Sequence, residues 1–273
     1  MTTSIKPLSN SQKLFLQRLL VSHILTDNEA RDLYNNIRTQ FANIVPDEED
    51  NDGPDPSYMG NSFDHNLGLI NASLLPAFNL EICTLLLPPP YNPDDTPNNN
   101  ASLIKYHAIV NKSNDGIAKS HGASSSIYGP HELAYLRLLL EKLVEHDNAN
   151  NKSNHKGCMG IMNKMDIINT RNYLEGAHAN KLSLASTESA LEVFITEKWL
   201  VEMAPPGDDD SDDEDQEEEE ERRKKKKRKS SGRKSLKGTY YGIGPRSFLE
   251  LGEFLVGVGM EEERMPQTII NRP

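Results

Sequence analysis

Two short hydrophobic strands held apart by a long run of charge constrain the fold of this chain more than any other feature. Trp199-Leu200-Val201-Glu202-Met203 alternates with the period of a strand and stops at Pro205-Pro206-Gly207. The pattern resumes at Thr239-Tyr240-Tyr241-Gly242-Ile243, beyond an acidic block from Asp208 to Glu221 and the basic run Arg222-Arg223-Lys224-Lys225-Lys226-Lys227-Arg228-Lys229. A segment of this composition cannot bury enough apolar surface to offset its ordering entropy, so residues 205–237 are expected to be disordered. Upstream, Ser186-Thr187-Glu188 offers N-cap chemistry to a helix carrying Leu191, Phe194 and Ile195; downstream, Gly244-Pro245 opens another amphipathic run. Helix, strand, long loop, strand, helix is the order of the C-terminal half of a winged-helix domain, with the charged insertion as its wing.

The N-terminal part repeats the theme. Leu14 to Leu20 and the segment behind the capping box Thr26-Asp27-Asn28-Glu29, with Ala30, Leu33, Tyr34, Ile37 and Phe41, have helical spacing. Phe63, Leu67, Ile70 and Leu74 give a third stripe. Phe78 to Leu86 and Leu103 to Val110 read as strands. The spacing predicts an α+β chain, mainly α with small β hairpins, as tandem winged-helix domains. The first spans 1–115, a Gly and Ser-rich linker 116–128, the second 129–258, and a tail 259–273. In the second, Leu133, Leu136, Leu140 and Leu143 mark a helix, residues 158–162 a short strand, and Lys164 to Tyr173 another helix.

Across residues 205–237 the twelve acids and eleven bases nearly cancel, so the net charge of −11 resides mainly in the rest of the chain and argues against a broad nucleic-acid-binding face. No apolar run reaches the length of a membrane span, and the N-terminus lacks a signal peptide's hydrophobic region, so neither membrane insertion nor secretion is expected. Cys83 and Cys158 are the two cysteines, which excludes a disulfide framework or a cysteine-rich zinc fold within these residues. His155 with Cys158 supplies only two donors in a polar loop and is not read as a metal site. No phosphate cradle, nucleophile elbow, paired-His helix or Cys-x-x-Cys appears, so no catalytic residue, metal or cofactor is assigned. Gly242-Ile243-Gly244-Pro245-Arg246 could present a helix N-terminus to an anion, but the glycines are more simply explained by a tight strand-to-helix turn.

Gln12 to Leu20 with the Thr26 to Tyr34 helix, Phe194-Ile195-Thr196-Glu197-Lys198-Trp199-Leu200, and Tyr241 to Leu251 resemble the family called non-structural maintenance of chromosomes element one, of the SMC five/six complex. Trp199, Gly242, Gly244, Pro245, Arg246 and Phe248 are its structural motif residues here. The resemblance implies tandem winged helices followed by a RING-like zinc domain with ubiquitin-ligase activity, MAGE-type and kleisin partners, a nuclear location, and a role in recombinational DNA repair. Zinc is implied only for the complete family member. This sequence stops at Pro273, where the family's Cys and His ligands should begin, so ubiquitin transfer by this chain is not expected. Arg222 to Lys229 is expected to direct nuclear import or touch phosphate. A second reading stays open: a DNA-binding winged-helix regulator, with the helix from Ser186 in the major groove.

Overall fold

The computed structural model describes residues 7–44, 62–88, 103–112, 128–150, 160–203 and 239–272. The charged insertion, Arg222 to Lys229 with it, lies outside the described residues, as do His155, Cys158 and the linker between the units.

In the N-terminal unit, helix α1 (Asn10–Ser22) and strand β1 (Ile24–Thr26) lead into α2 (Asp27–Ile44) and α3 (Ser62–Phe78), then the hairpin strands β2 (Leu80–Leu87) and β3 (Ile104–Asn111). The start of α1 is set by Ser9, whose hydroxyl accepts from the Gln12 amide while the Gln12 side chain reaches back to the Ser9 amide. The Thr26 box also forms: the Thr26 amide donates to Glu29 Oε2 at 2.8 Å. Phe15, Tyr34 and Phe63 meet edge to face at centroid separations of 5.6–5.9 Å, and with Leu67, Ile70 and Ile82 they fill the core between helices and sheet.

The C-terminal unit comprises α4 (Pro130–Asn150), β4 (Met162–Asn163), α5 (Lys164–Asn169), α6 (Leu184–Thr196), β5 (Leu200–Met203), β6 (Tyr240–Ile243), α7 (Pro245–Glu250) and α8 (Gly252–Gly257). Its sheet runs β4-β6-β5, all antiparallel. Three expectations shift. The short strand expected at 158–162 is β4 at Met162–Asn163, with 158 and 159 outside the described residues. The cap of α6 is Ser183 rather than Ser186, one turn earlier, and the expected helix 164–173 breaks after Asn169 into a 3-10 turn, Thr170–Tyr173. Short strand β1 leaves no mark in the sequence pattern, because three residues carry too little periodicity to register.

The N-terminal sheet has the order β1-β3-β2-β7, where β7 (Thr268–Ile270) comes from the tail. Leaving α8, the chain buries Met260, ties Arg264 to Asp147 of α4 at 2.5 Å, and pairs β7 antiparallel with Cys83–Leu85 of β2. Beyond β7 the buried Asn71 side chain takes over the ladder: Oδ1 accepts from the Ile82 amide at 2.7 Å, and Nδ2 donates to the Ile82 and Asn271 carbonyls. Strand β2 is covered on both faces. Ile82 belongs to the N-terminal core, whereas Leu85 and Leu87 join the core of the C-terminal unit with Tyr135, Phe194, Trp199 and Phe248. Its near-continuous apolar sequence follows from that double burial.

Replacing Asn71 with Ala should leave the Ile82 amide and the Asn271 carbonyl without this partner and cost about 1–3 kcal/mol. Urea denaturation measures the cost, and hydrogen exchange should show faster turnover at Ile82. A variant with unchanged midpoint and exchange would show that the tail is held by β7 alone.

Candidate functional site at the junction of the two units

The run that ends α6 builds the junction. Lys198 adopts φ +62°, and the turn closes with the Trp199 amide on the Phe194 carbonyl at 2.9 Å and the Lys198 amide on the Ile195 carbonyl at 3.1 Å, a Schellman stop with lysine where glycine is usual. That left-handed turn aims the next two carbonyls at the N-terminus of α7. Lys198 O accepts from the Arg246 amide at 3.1 Å; Trp199 O accepts from the Gly244 amide at 2.8 Å and from Ser247 Oγ at 2.7 Å. Gly244 is required by this approach: a Cβ there would collide with the Lys198 carbonyl and the Trp199 and Leu200 backbone.

Arg246 lies at the centre, its side chain 1% exposed. Nη1 meets Glu197 Oε2 at 2.6 Å, Nε meets Glu250 Oε1 at 2.7 Å, and the guanidinium carbon stands 4.3 Å from the Trp199 ring centroid. The N-terminal unit enters through His23, at the end of α1, with Nε2 3.8 Å from Glu197 Oε2. Burial lowers the His23 pKa below the ordinary imidazole value, nearby Arg246 lowers it further, and Glu197 and Glu250 oppose. Burial, with Glu197 adding, pushes the Tyr128 pKa up to about 12; its hydroxyl and Trp199 Nε1 are both buried without a hydrogen-bond partner among the described residues.

Of the motif residues expected from sequence, Trp199, Gly244, Pro245 and Arg246 converge here, Phe248 is buried in the adjoining core, and Gly242 pairs with Val201 in the β5–β6 ladder. The buried Arg246 head is engaged by Glu197 and Glu250, and Gly244 serves the tight strand-to-helix turn. Sequence reading missed Glu197, Glu250 and His23. The Arg246–Glu250 spacing of four on a helix was the available signal.

A second polar chain sits beneath the N-terminal sheet. Thr84 Oγ1 is 3.0 Å from His107 Nδ1, and His107 Nε2 is 3.0 Å from Asp27 Oδ1, while Asp27 Oδ2 takes Arg31 Nε at 2.8 Å. A carboxylate only accepts, so Nε2 carries the proton and Nδ1 accepts from Thr84. Hydroxyl, imidazole and carboxylate stand in the order of a nucleophilic relay. Thr84 and His107 are both buried, however, which gives a substrate no approach. The chain acts as a pin between β2, β3 and α2. Burial lowers the His107 pKa against the opposing pull of Asp27. For Asp27 burial raises the pKa, but the Arg31 and His107 hydrogen bonds outweigh it and the net shift is downward. Among the described residues, no group of three or more His, Cys, Asp or Glu is arranged to hold a metal.

Comparison with known proteins adds the relationship. A family model described as the Nse1 non-SMC component of the SMC5-6 complex matches residues 12–206. The chain belongs to the Nse1 family. The match includes Glu197 and Trp199 and ends before the Gly242–Phe248 run. A solved chain described as "Nse1-Nse3-Nse4 complex" superposes with a TM-score of 0.51 at 19% identity, covering 92% of this chain and 74% of that one, which marks a shared fold. Comparison with curated proteins gives no match. Within the Nse1 family frame, the junction is a structural hub in which one unit's helix stop caps the next helix and reaches the other unit.

Removing the Arg246 head leaves two carboxylates facing a vacated pocket. Breaking a buried pair costs about 3–5 kcal/mol, and because Glu197 and Glu250 keep some contact with water, Arg246→Ala should fall at the lower end. Trp199→Ala should cost about 3–5 kcal/mol through its cavity. The double variant should lose less than the sum, because the ring and the guanidinium are in contact. Strict additivity in denaturant melts would refute the coupling.

Acid should weaken the fold in two stages. His23 and His107 have lowered folded pKa values, so their contribution is present above the unfolded value of about 6.5 and is lost as pH falls below it. Asp27, also lowered, contributes above about pH 3.9 and is lost on further acidification. Stability measured from pH 7.5 to 5.5 should decline, and His107→Gln should flatten that decline; a level profile in the parent would contradict the assignment.

Proposed function

We propose that this chain is a scaffold subunit of the SMC5-6 complex, built of tandem winged helices that bind a MAGE-type and a kleisin subunit. The observation that carries the reading is the junction itself, where the double-faced strand β2, with Ile82 in one core and Leu85 and Leu87 in the other, joins two small units into one framework. Each unit has the helix and antiparallel-strand order of a winged helix. The family description supports membership of the complex, and the structural neighbour is named for an assembly of Nse1 with Nse3 and Nse4. A role in recombinational repair of nuclear DNA is the biological setting we infer. The complete family member is expected to be a RING-type E3 ligase; the two cysteines of this sequence, Cys83 and Cys158, lie far apart and form none of the closely spaced Cys pairs that a RING zinc uses. Residues 1–273 therefore serve binding rather than ubiquitin transfer in this reading.

The regulator reading is disfavoured by α6. Glu188 and Glu192 are exposed on the helix that would enter the major groove, and carboxylates facing phosphate lower affinity. Co-expression with the MAGE-type subunit should give a stable heterodimer through size exclusion. Duplex DNA should bind weakly, without sequence preference, and release with salt. A folded chain that fails to pair, or a specific DNA site that survives competitor, would overturn the scaffold reading.

Arg222 to Lys229, with Arg233 and Lys234, serves as the nuclear import signal in this proposal, since a dense basic run suits an acidic import receptor. A fluorescent fusion with Ser at Lys224, Lys225, Lys226 and Lys227 should move to the cytoplasm when the partners are depleted; undiminished nuclear signal would assign import elsewhere.

A further inference from the structure

Outside the Arg246 cluster, two imidazoles meet with no role in the scaffold. His131, in the first turn of α4, and His178, closing the short turn Gly176–His178, place their Nδ1 atoms 3.0 Å apart, with ring centroids 5.1 Å apart and planes at 76°. Both side chains are half-buried. Neutral imidazoles can share one proton across this distance, one donating and the other accepting. The same distance matches a chelate. With metal–nitrogen bonds of about 2.0–2.1 Å, donors 3.0 Å apart subtend about 95° at the ion, close to the cis angle of a tetragonal or octahedral centre and narrower than a tetrahedral one. Nitrogen and water donors at that angle suit Cu2+ and Ni2+, which also lead the divalent affinity order.

We propose that His131 and His178 form a two-imidazole site for a divalent transition metal of the Cu2+ or Ni2+ class, with water in the remaining positions. Binding requires both Nδ1 atoms bare, so the donor imidazole moves its proton to Nε2, and each ring turns by about 40° to aim its lone pair at the ion. The turn can give way: Gly176 has φ +59° and open space around it. Glu132 is engaged elsewhere, its Oε2 accepting from the Gly129 amide at 2.8 Å. The ion would tie the start of α4 to the segment before α6, elements otherwise joined through the core. Forty-seven residues separate the ligands, so no sequence motif announces them. The site also differs in kind from a RING, which needs four ligands per zinc.

Titration of the full chain with Cu2+, followed by calorimetry and electron paramagnetic resonance, tests the proposal. One equivalent with coupling to two nitrogen donors is expected, and His131→Ala and His178→Ala should each weaken it by roughly tenfold or more. His178→Gln, which keeps a hydrogen-bonding side chain, should lose the metal while melting like the parent, separating ligation from folding. His65→Ala should bind as the parent does. Absence of a stoichiometric site, or binding unchanged in all three His131 and His178 variants, would mean that the pair is only a shared proton.

Discussion

A buried guanidinium held by two carboxylates and an indole face is the interaction on which the rest of this molecule depends. A guanidinium would be costly to bury alone, so the fold must bring Glu197 and Glu250 to Arg246. Glu197 reaches it only because α6 ends in a left-handed turn at Lys198, and Glu250 only because α7 begins at Gly244 without a Cβ in the way. An apolar side chain of equal volume could give comparable stability. What the ion pairs add is direction: Glu197 at the end of α6 and Glu250 of α7 take different nitrogens of one planar guanidinium, which constrains how α6 and α7 meet.

That orientation gives the scaffold reading its physical content. Two small units joined by a loose tether would present their outer surfaces at variable angles, and each binding event would bear the entropy of fixing them. Here the N-terminal sheet has helices of its own unit on one face and residues of the other unit on the opposite face, with Leu85 and Leu87 in the second core. A fold of helices packed on small antiparallel sheets can serve nucleic-acid or protein recognition, so the fold alone does not choose between them. The choice rests on exposed acids along α6 and on the interior placement of Arg246.

The elements with long periodic stripes were legible in sequence, and so were the strands beside the charged insertion. Trp199 stood out as the lone tryptophan and Gly244 as the glycine before proline at a strand-to-helix turn, and Arg246 through the family resemblance. Their partners did not. Glu197 and Glu250 read as ordinary surface acids, and His107 as one polar residue in a strand, because a hydrogen-bonded chain from β2 through β3 to α2 leaves no mark at any fixed spacing. Strand β7 escaped for a related reason: Thr268-Ile269-Ile270 is too short to read as a strand, and its partner lies nearly two hundred positions earlier.

The return of that tail makes the N-terminal sheet discontinuous in sequence. During synthesis the free edge of β2 stays uncovered until the C-terminal unit has been made, and Asn71 waits for a carbonyl 200 residues further on. Closing so long a loop adds an entropic barrier that local helix formation does not face. An apolar strand with one bare edge is a template for pairing with another chain. The nascent protein therefore passes through a stage in which its helices can already form while its most aggregation-prone edge is open, so chaperone dependence should be concentrated in the interval before the last strand leaves the ribosome.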